Sequence, residues 1–182
     1  MVGADSTFLG LLLHPEAKPT DDPTTGKPTT RIPDRIEKLL VDLDAARERI
    51  IVPTPSLCEF LILAGKDAPQ YQGELHMLRA ILVKPFDEIA ATELVAMELL
   101  ARGKGNKRSP APQNTPWQKV KFDRQIVAVC KVHGVHTIYS DDGNLKAFAE
   151  DSGIKVVGCW ELPLPPSNMP LLDTTTEPPI EF

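Results

Sequence analysis

The chain has 182 residues, 42% of them hydrophobic, and a formal net charge of -5. That is enough for one domain with a real core, and it excludes a polycation that binds nucleic acid through its overall charge, so a nucleic-acid role needs a local basic patch. Three cysteines, Cys58, Cys130 and Cys159, are odd in number and lack C-x-x-C spacing, which argues against zinc and disulfide frameworks.

Val2–Asp5 reads as a short strand ending on an acid. Ser6 or Thr7 caps a helix through Phe8, Leu9, Leu11, Leu12 and Leu13. Phe8–Leu13 is too short for a signal-peptide core or a membrane span, so no membrane association is expected and the protein is placed in the cytoplasm. Residues 15–33 alternate prolines with threonines, aspartates and lysines and form a long loop. Asp34–Glu48 is an amphipathic helix, with Ile36, Leu39, Leu40 and Leu43 on one face. Ile50–Val52 is a buried strand. Thr54 and Pro55 open a helix that runs through Leu57, Cys58 and Phe60–Leu63 to Gly65. Because this helix is apolar nearly all round, Cys58 and Glu59 are expected to be buried.

Gln70–Arg79 reads as a helix, Ile81–Val83 as a strand and Asp87–Ala101 as a helix. Residues 103–116 are a loop. Phe122, Ile126, Val129 and Cys130 mark the core face of the next helix, which Gly134 stops. Thr137–Tyr139 and Lys155–Val157 are strands flanking a helix marked by Leu145 and Phe148. Short strands alternating with helices predict a three-layer α/β fold with a central parallel sheet flanked by helices. The domain is set at 1–160. Residues 161–182, with six prolines, four acids and no base, are set aside as a tail that is dispensable for folding.

In open parallel sheets ligands bind beyond the carboxyl ends of the strands. Asp5 ends the first strand, and Asp141 and Asp142 follow Thr137–Tyr139. Glu59 and Asp123 open helices near the same edge. Taken singly, an Asp after a strand is a helix cap and Asp141–Asp142–Gly143 is a turn. Taken together, they recur at the edge where such sheets bind ligands. A buried carboxylate such as Glu59 costs several kcal/mol, roughly, unless it is paired or bound to a metal. Oxygen ligands suit Mg²⁺ or Mn²⁺.

These segments resemble the motifs of PIN-domain nucleases. Asp5–Ser6–Thr7–Phe8–Leu9 is similar to the family's opening motif, and Pro53–Phe60 to its second, in which a helix presents Glu59. Asp123–Arg124–Gln125–Ile126–Val127–Ala128 resembles the third. Ser140–Asp141–Asp142–Gly143–Asn144–Leu145 resembles the fourth, with spacing favouring Asp142 over Asp141. The resemblance spans about Met1 to Gly158; the loop 15–33 is longer than in minimal members.

It implies a PIN-like fold and a metal-dependent endoribonuclease. Asp5, Glu59, Asp123 and Asp142 would be its catalytic and metal-holding acids, with Asp141 the alternative fourth ligand. The metal activates a water and neutralises the scissile phosphate, leaving a 5′-phosphate product. It also implies a toxin of the VapBC class, blocked by a cognate antitoxin, with a homodimer as a further expected assembly. An RNA-processing nuclease outside that setting and a silent nucleic-acid-binding module are the alternatives. An aspartyl phosphatase is disfavoured because Thr7 stands where a second Asp is needed.

Residues 100–121 hold six bases and no acid: Arg102, Lys104, Lys107, Arg108, Lys119 and Lys121. This run leads into Asp123 and is expected to carry the RNA backbone. Trp117 either stacks on an unpaired base or packs on the core. The hydroxyls of Ser6, Thr7 and Ser140, beside the acids, are expected to meet the substrate. His14, His76, His133 and His136 are expected to have no catalytic part.

Overall fold

Strands of three or four residues survive only where both faces are covered, and that is how this chain uses its apolar triplets. The computed structural model describes residues 1–14, 16–103, 110 and 114–166. Five strands, β1 (Val2–Ala4), β2 (Ile50–Pro53), β3 (Ile81–Lys84), β4 (Thr137–Tyr139) and β5 (Lys155–Val157), form one parallel sheet in the order β3-β2-β1-β4-β5. Val2 lies beside Ile50 on one side and Thr137 on the other. The expected α/β architecture with a parallel sheet between helical layers is the one observed.

The helices are α1 (Ser6–Leu13), α2 (Ile32–Ala45), α3 (Thr54–Ala64), α4 (Ala68–Met77), α5 (Glu88–Gly103), α6 (Trp117–Val132) and α7 (Gly143–Asp151). Residues alternate across the sheet as strand geometry requires. Ile50 and Val52 of β2 join a core with Phe8, Leu39, Phe60 and Leu75 from α1–α4. Ile51, between them, points the other way into a core with Ile126, Val129, Phe148 and Val156. In β1, a Cβ on Gly3 would lie 3.0 Å from Cys130 Sγ and 3.1 Å from an Ile138 side-chain carbon. The absence of a side chain there lets α6 close on the middle of the sheet.

Several boundaries differ from those read in the sequence. Helix α2 starts at Ile32, with Pro33 in its first turn, where the missing N–H costs no hydrogen bond. It ends at Ala45 rather than Glu48. Helix α6 starts at Trp117, so Lys119 and Lys121 are helical and not part of a loop. Cys58 is exposed, as are Ile62 and, at 81%, Leu63. An apolar run on all sides predicted a buried helix, but α3 leaves the face of Cys58, Ile62 and Leu63 uncovered.

The core also runs past residue 160. Cys159 and Leu162 are buried with Val2 and Phe8, and the Arg35 guanidinium binds the Leu162 carbonyl. The first residues assigned to the tail therefore close the sheet's end; Ser167–Phe182 lie outside the described residues. Leu162→Ala is expected to lower stability by about 2–4 kcal/mol, as for other buried leucines. A denaturant melt checks this, and an unchanged midpoint would mean that the segment after β5 does not pack on the core.

Candidate functional site

The strand order puts β1 beside β4, although β2 and β3 intervene in sequence. The chain leaves β1 toward one edge of the sheet and returns at β4 to build the other. At such a switch point the connections diverge and leave a crevice above the carboxyl ends. Asp5 follows β1 directly, and Ser140–Asp142 follow β4.

Asp5 is 2% exposed. It is the N-cap of α1: its Oδ1 accepts from the Phe8 N–H at 3.0 Å and from the Thr7 hydroxyl at 2.8 Å. The expected caps, Ser6 and Thr7, are inside the helix instead. Oδ2 of Asp5 accepts from Ser140 Oγ at 2.5 Å, and that same hydroxyl accepts from the Asp142 N–H at 2.9 Å. One buried serine thus ties the acid of β1 to the acid after β4. Asp142 caps α7 through Oδ1, which accepts from the Asn144 N–H at 2.8 Å and from Leu145. Asp5 is thus a helix cap, as an aspartate after a strand is expected to be, whereas the turn read at Asp141–Asp142–Gly143 is the head of α7, with Asp142 as its cap. The two caps leave Asp5 Oδ2 and Asp142 Oδ2 turned away from their own helices.

Glu59 comes from the second turn of α3. It is half-buried rather than buried, and its Oε2 accepts from Ser6 Oγ at 3.0 Å. Asp123 lies in the second turn of α6 and is 1% exposed. Lys119, one turn earlier on the same helix face, reaches Asp123 Oδ1 at 3.1 Å and Asp142 Oδ2 at 2.5 Å. The other oxygen, Asp123 Oδ2, is buried with no hydrogen-bond partner.

The electrostatics follow from burial. Desolvation raises the Asp5 carboxyl to about 6, against the lowering effect of Ser140, the Phe8 amide and Thr7. Desolvation raises Asp123 to about 7; the Lys119 charge pulls it down, while Asp142 and Glu59 push it up. Burial works against the Lys119 ammonium too, yet its hydrogen bond to Asp142 and the charges of both aspartates hold it above its ordinary range. Among the described residues, no three acidic, histidine or cysteine side chains converge as a ready metal cage. The donor set nevertheless fits a hard divalent cation that keeps most of its waters: carboxylate oxygens only, one of them buried and orphaned.

The other expected site residues divide. Asp141 turns away from this cluster. Its Oδ1 accepts from the Cys159 N–H at 2.7 Å, and its Oδ2 from the Cys159 thiol at 2.9 Å and the Thr20 N–H at 3.2 Å. It pins the loop after α1 to the end of β5, which sets it apart from Asp142. Thr7 is engaged on both sides, since its oxygen also accepts from the Asp141 N–H at 2.9 Å. Ser140 is buried and fully engaged, so its hydroxyl organises the acids. Trp117 packs against the second core, with Lys121 Nζ 5.6 Å from its ring centroid. Lys104, Lys107 and Arg108 lie outside the described residues.

Sequence reading missed two features. Phe122, taken as core, is 37% exposed, while its neighbour-but-one Arg124 is buried, paired to Glu98 of α5 and set over the Phe148 ring. The missed signal for Lys119 was its i, i+4 spacing to Asp123.

No protein-family model matches the sequence, and no curated protein sequence matches it significantly. Solved structures do. A chain of the VapBC2 complex from Rickettsia felis, bound to a DNA fragment from its promoter, aligns over 87% of this chain and 98% of its own, with a TM-score of 0.53 and 14% identity. A chain of the DNA-bound VapBC complex from Salmonella typhimurium aligns over 87% and 99%, with a TM-score of 0.52 and 14% identity. At that identity the likeness is one of fold, and it agrees with the fold that the motif resemblance implies.

Proposed function

We propose that this chain is a metal-dependent endoribonuclease that hydrolyses phosphodiester bonds of RNA, and that it is the toxin of a toxin–antitoxin pair. The observation that carries the reading is Asp123. Capping accounts for Asp5 and Asp142, but Asp123 sits inside a helix and caps nothing. It is a buried carboxylate with an unpartnered oxygen, at the switch point of the sheet, electrostatically coupled to Asp142 and Glu59. Glu98 Oε2, in the structural pair with Arg124, is another such oxygen among the described residues, so what sets Asp123 apart is its place at the switch point beside Asp142 and Glu59.

In this reading Asp5, Glu59, Asp123 and Asp142 hold Mg²⁺ or Mn²⁺. A divalent cation bound there supplies a water of lowered pKa and neutralises charge on the phosphate. The protein's own residues do the rest. Ser140 fixes the Asp5 carboxylate relative to the α7 N-terminus, and Ser6 orients Glu59. The burial of Asp5 and Asp123 excludes water that would screen the site. The basic run from Arg102 to Lys121 is the set proposed to hold the RNA backbone. The fold shared with chains of two VapBC complexes supports the toxin setting and a cognate antitoxin as partner.

The test is incubation of the purified protein with single-stranded RNA, with Mg²⁺ or Mn²⁺ and with chelator. Cleavage is expected only with metal, and the products should ligate as 5′-phosphates. Cleavage that survives the chelator would sink the metal mechanism, and no cleavage of any RNA with either metal would sink the enzyme.

A further inference from the structure

Helix N-termini carry partial positive charge and favour acids. The first turn of α6 has no acid, yet Lys119 stands there. Its position is explained by what its side chain meets. Its ammonium is shared between Asp123, one turn on, and Asp142, at the head of α7. It thereby joins two acids from separate elements and occupies one oxygen of each.

Asp142 Oδ1 is already held by the α7 amides, so Oδ2 is its outward oxygen, and that is the one Lys119 takes. On Asp123, Lys119 takes Oδ1 and leaves Oδ2 orphaned. A divalent ion held by these two aspartates would find Asp123 Oδ2 open but would have to take Asp142 Oδ2 from the lysine. The lysine side chain is 36% exposed, on a flexible four-carbon stem, so it has solvent to move into.

We propose that Lys119 is a tethered counter-ion of the acid cluster, which holds Asp123 and Asp142 together without metal and must release them for a divalent cation to bind, so that it sets the metal affinity of the site. The inference rests on the metal reading above. It adds that this chain carries its own competitor, four residues before the acid it guards. A lysine displaced from the two carboxylates is left as a free ammonium beside the place where the phosphate of a substrate would lie.

Mn²⁺ binding is measured by calorimetric titration of wild type, Lys119→Met and Asp123→Asn. The expected result is binding about tenfold tighter in Lys119→Met, the equivalent of one pK unit of lost competing charge, and loss of binding in Asp123→Asn. Equal or weaker binding in Lys119→Met, with wild type binding normally, overturns this proposal and leaves the metal reading standing. No binding in wild type or Lys119→Met overturns both. Should Lys119→Met fail to fold, the wild type itself answers. Its lysines are reductively ¹³C-methylated, and the Lys119 resonance, assigned with Lys119→Arg, is followed during a Mg²⁺ titration. Movement toward the position of a solvated lysine is expected. A fixed resonance while Mg²⁺ raises the melting temperature overturns the proposal.

Discussion

Asp123→Asn is expected to abolish metal-dependent RNA cleavage while leaving the fold intact. Residues that merely orient metal ligands change affinity or activity by roughly 10–100-fold, so loss of a ligand should lower activity by at least about a hundredfold. Asn keeps the shape of the side chain and an oxygen for Lys119, but removes the charge. Its effect on stability should run the other way. Burial makes the Asp123 charge costly, so at pH 8 the metal-free variant should melt no lower than wild type and is expected to melt higher. A site that opposes folding and serves binding is the usual signature of function. Circular dichroism, melting curves and a cleavage assay decide it together. A folded Asp123→Asn protein with full activity would remove Asp123 from the mechanism; a variant that melts far below wild type would show that its charge is structural.

The metal-free protein should lose stability as pH rises from 5 to 8. Asp5 and Asp123 have folded pKa values near 6 and 7 against 3.8 for the free side chain. Between those limits the folded state holds more protons than the unfolded state, so stability must fall with rising pH, by about 1.4 kcal/mol per pH unit for each proton of difference. Across the window the combined loss is on the order of 3–4 kcal/mol. In a chain of this size that is roughly 10 °C in melting temperature. Asp22 and Glu48, whose carboxyls are held below their ordinary range, contribute stability that is lost only under more acid conditions, outside this window. Excess Mg²⁺ or Mn²⁺ should flatten the profile, because it binds the ionised carboxylates of the folded state and adds about 2.7 kcal/mol at a hundredfold excess over its dissociation constant. Melting curves at pH 5, 6, 7 and 8, with chelator and with metal, test the sign. A metal-free protein that gains stability toward pH 8 would show that the two acids are stabilised as anions, against the burial argument.

How much of this was legible in the sequence depends on the range of the interaction that decided each feature. The five strands were, because strands covered on both faces must be apolar throughout, and Ile50–Val52 and Ile81–Val83 are such runs. So was the placement of Asp5 and Asp142 after strands, since each follows an apolar run closely; that Asp5 rather than Ser6 or Thr7 caps α1 was not. The parallel sheet followed from the alternation of strands and helices. Everything decided by contacts between distant segments was beyond it. The apolar run of α3 could not say that Leu63 would face outward, because that depends on which elements cover the helix. The period of α6 admitted Phe122 as core; the packing chose Arg124, whose charge Glu98 of another helix compensates. Asp141 and Asp142 are adjacent and chemically identical; motif spacing favoured Asp142, but the contacts that separate them lie far off in the chain. Cys159 and Thr20 hold one of them and Lys119 the other, over sequence distances of 18, 121 and 23 residues. Which acids there are, and that strand ends present them, follows from residue type and order along the chain. Which of them are buried, and which cation stands between them, follows from the packing of distant segments, because desolvation and charge pairing are properties of the assembled surroundings.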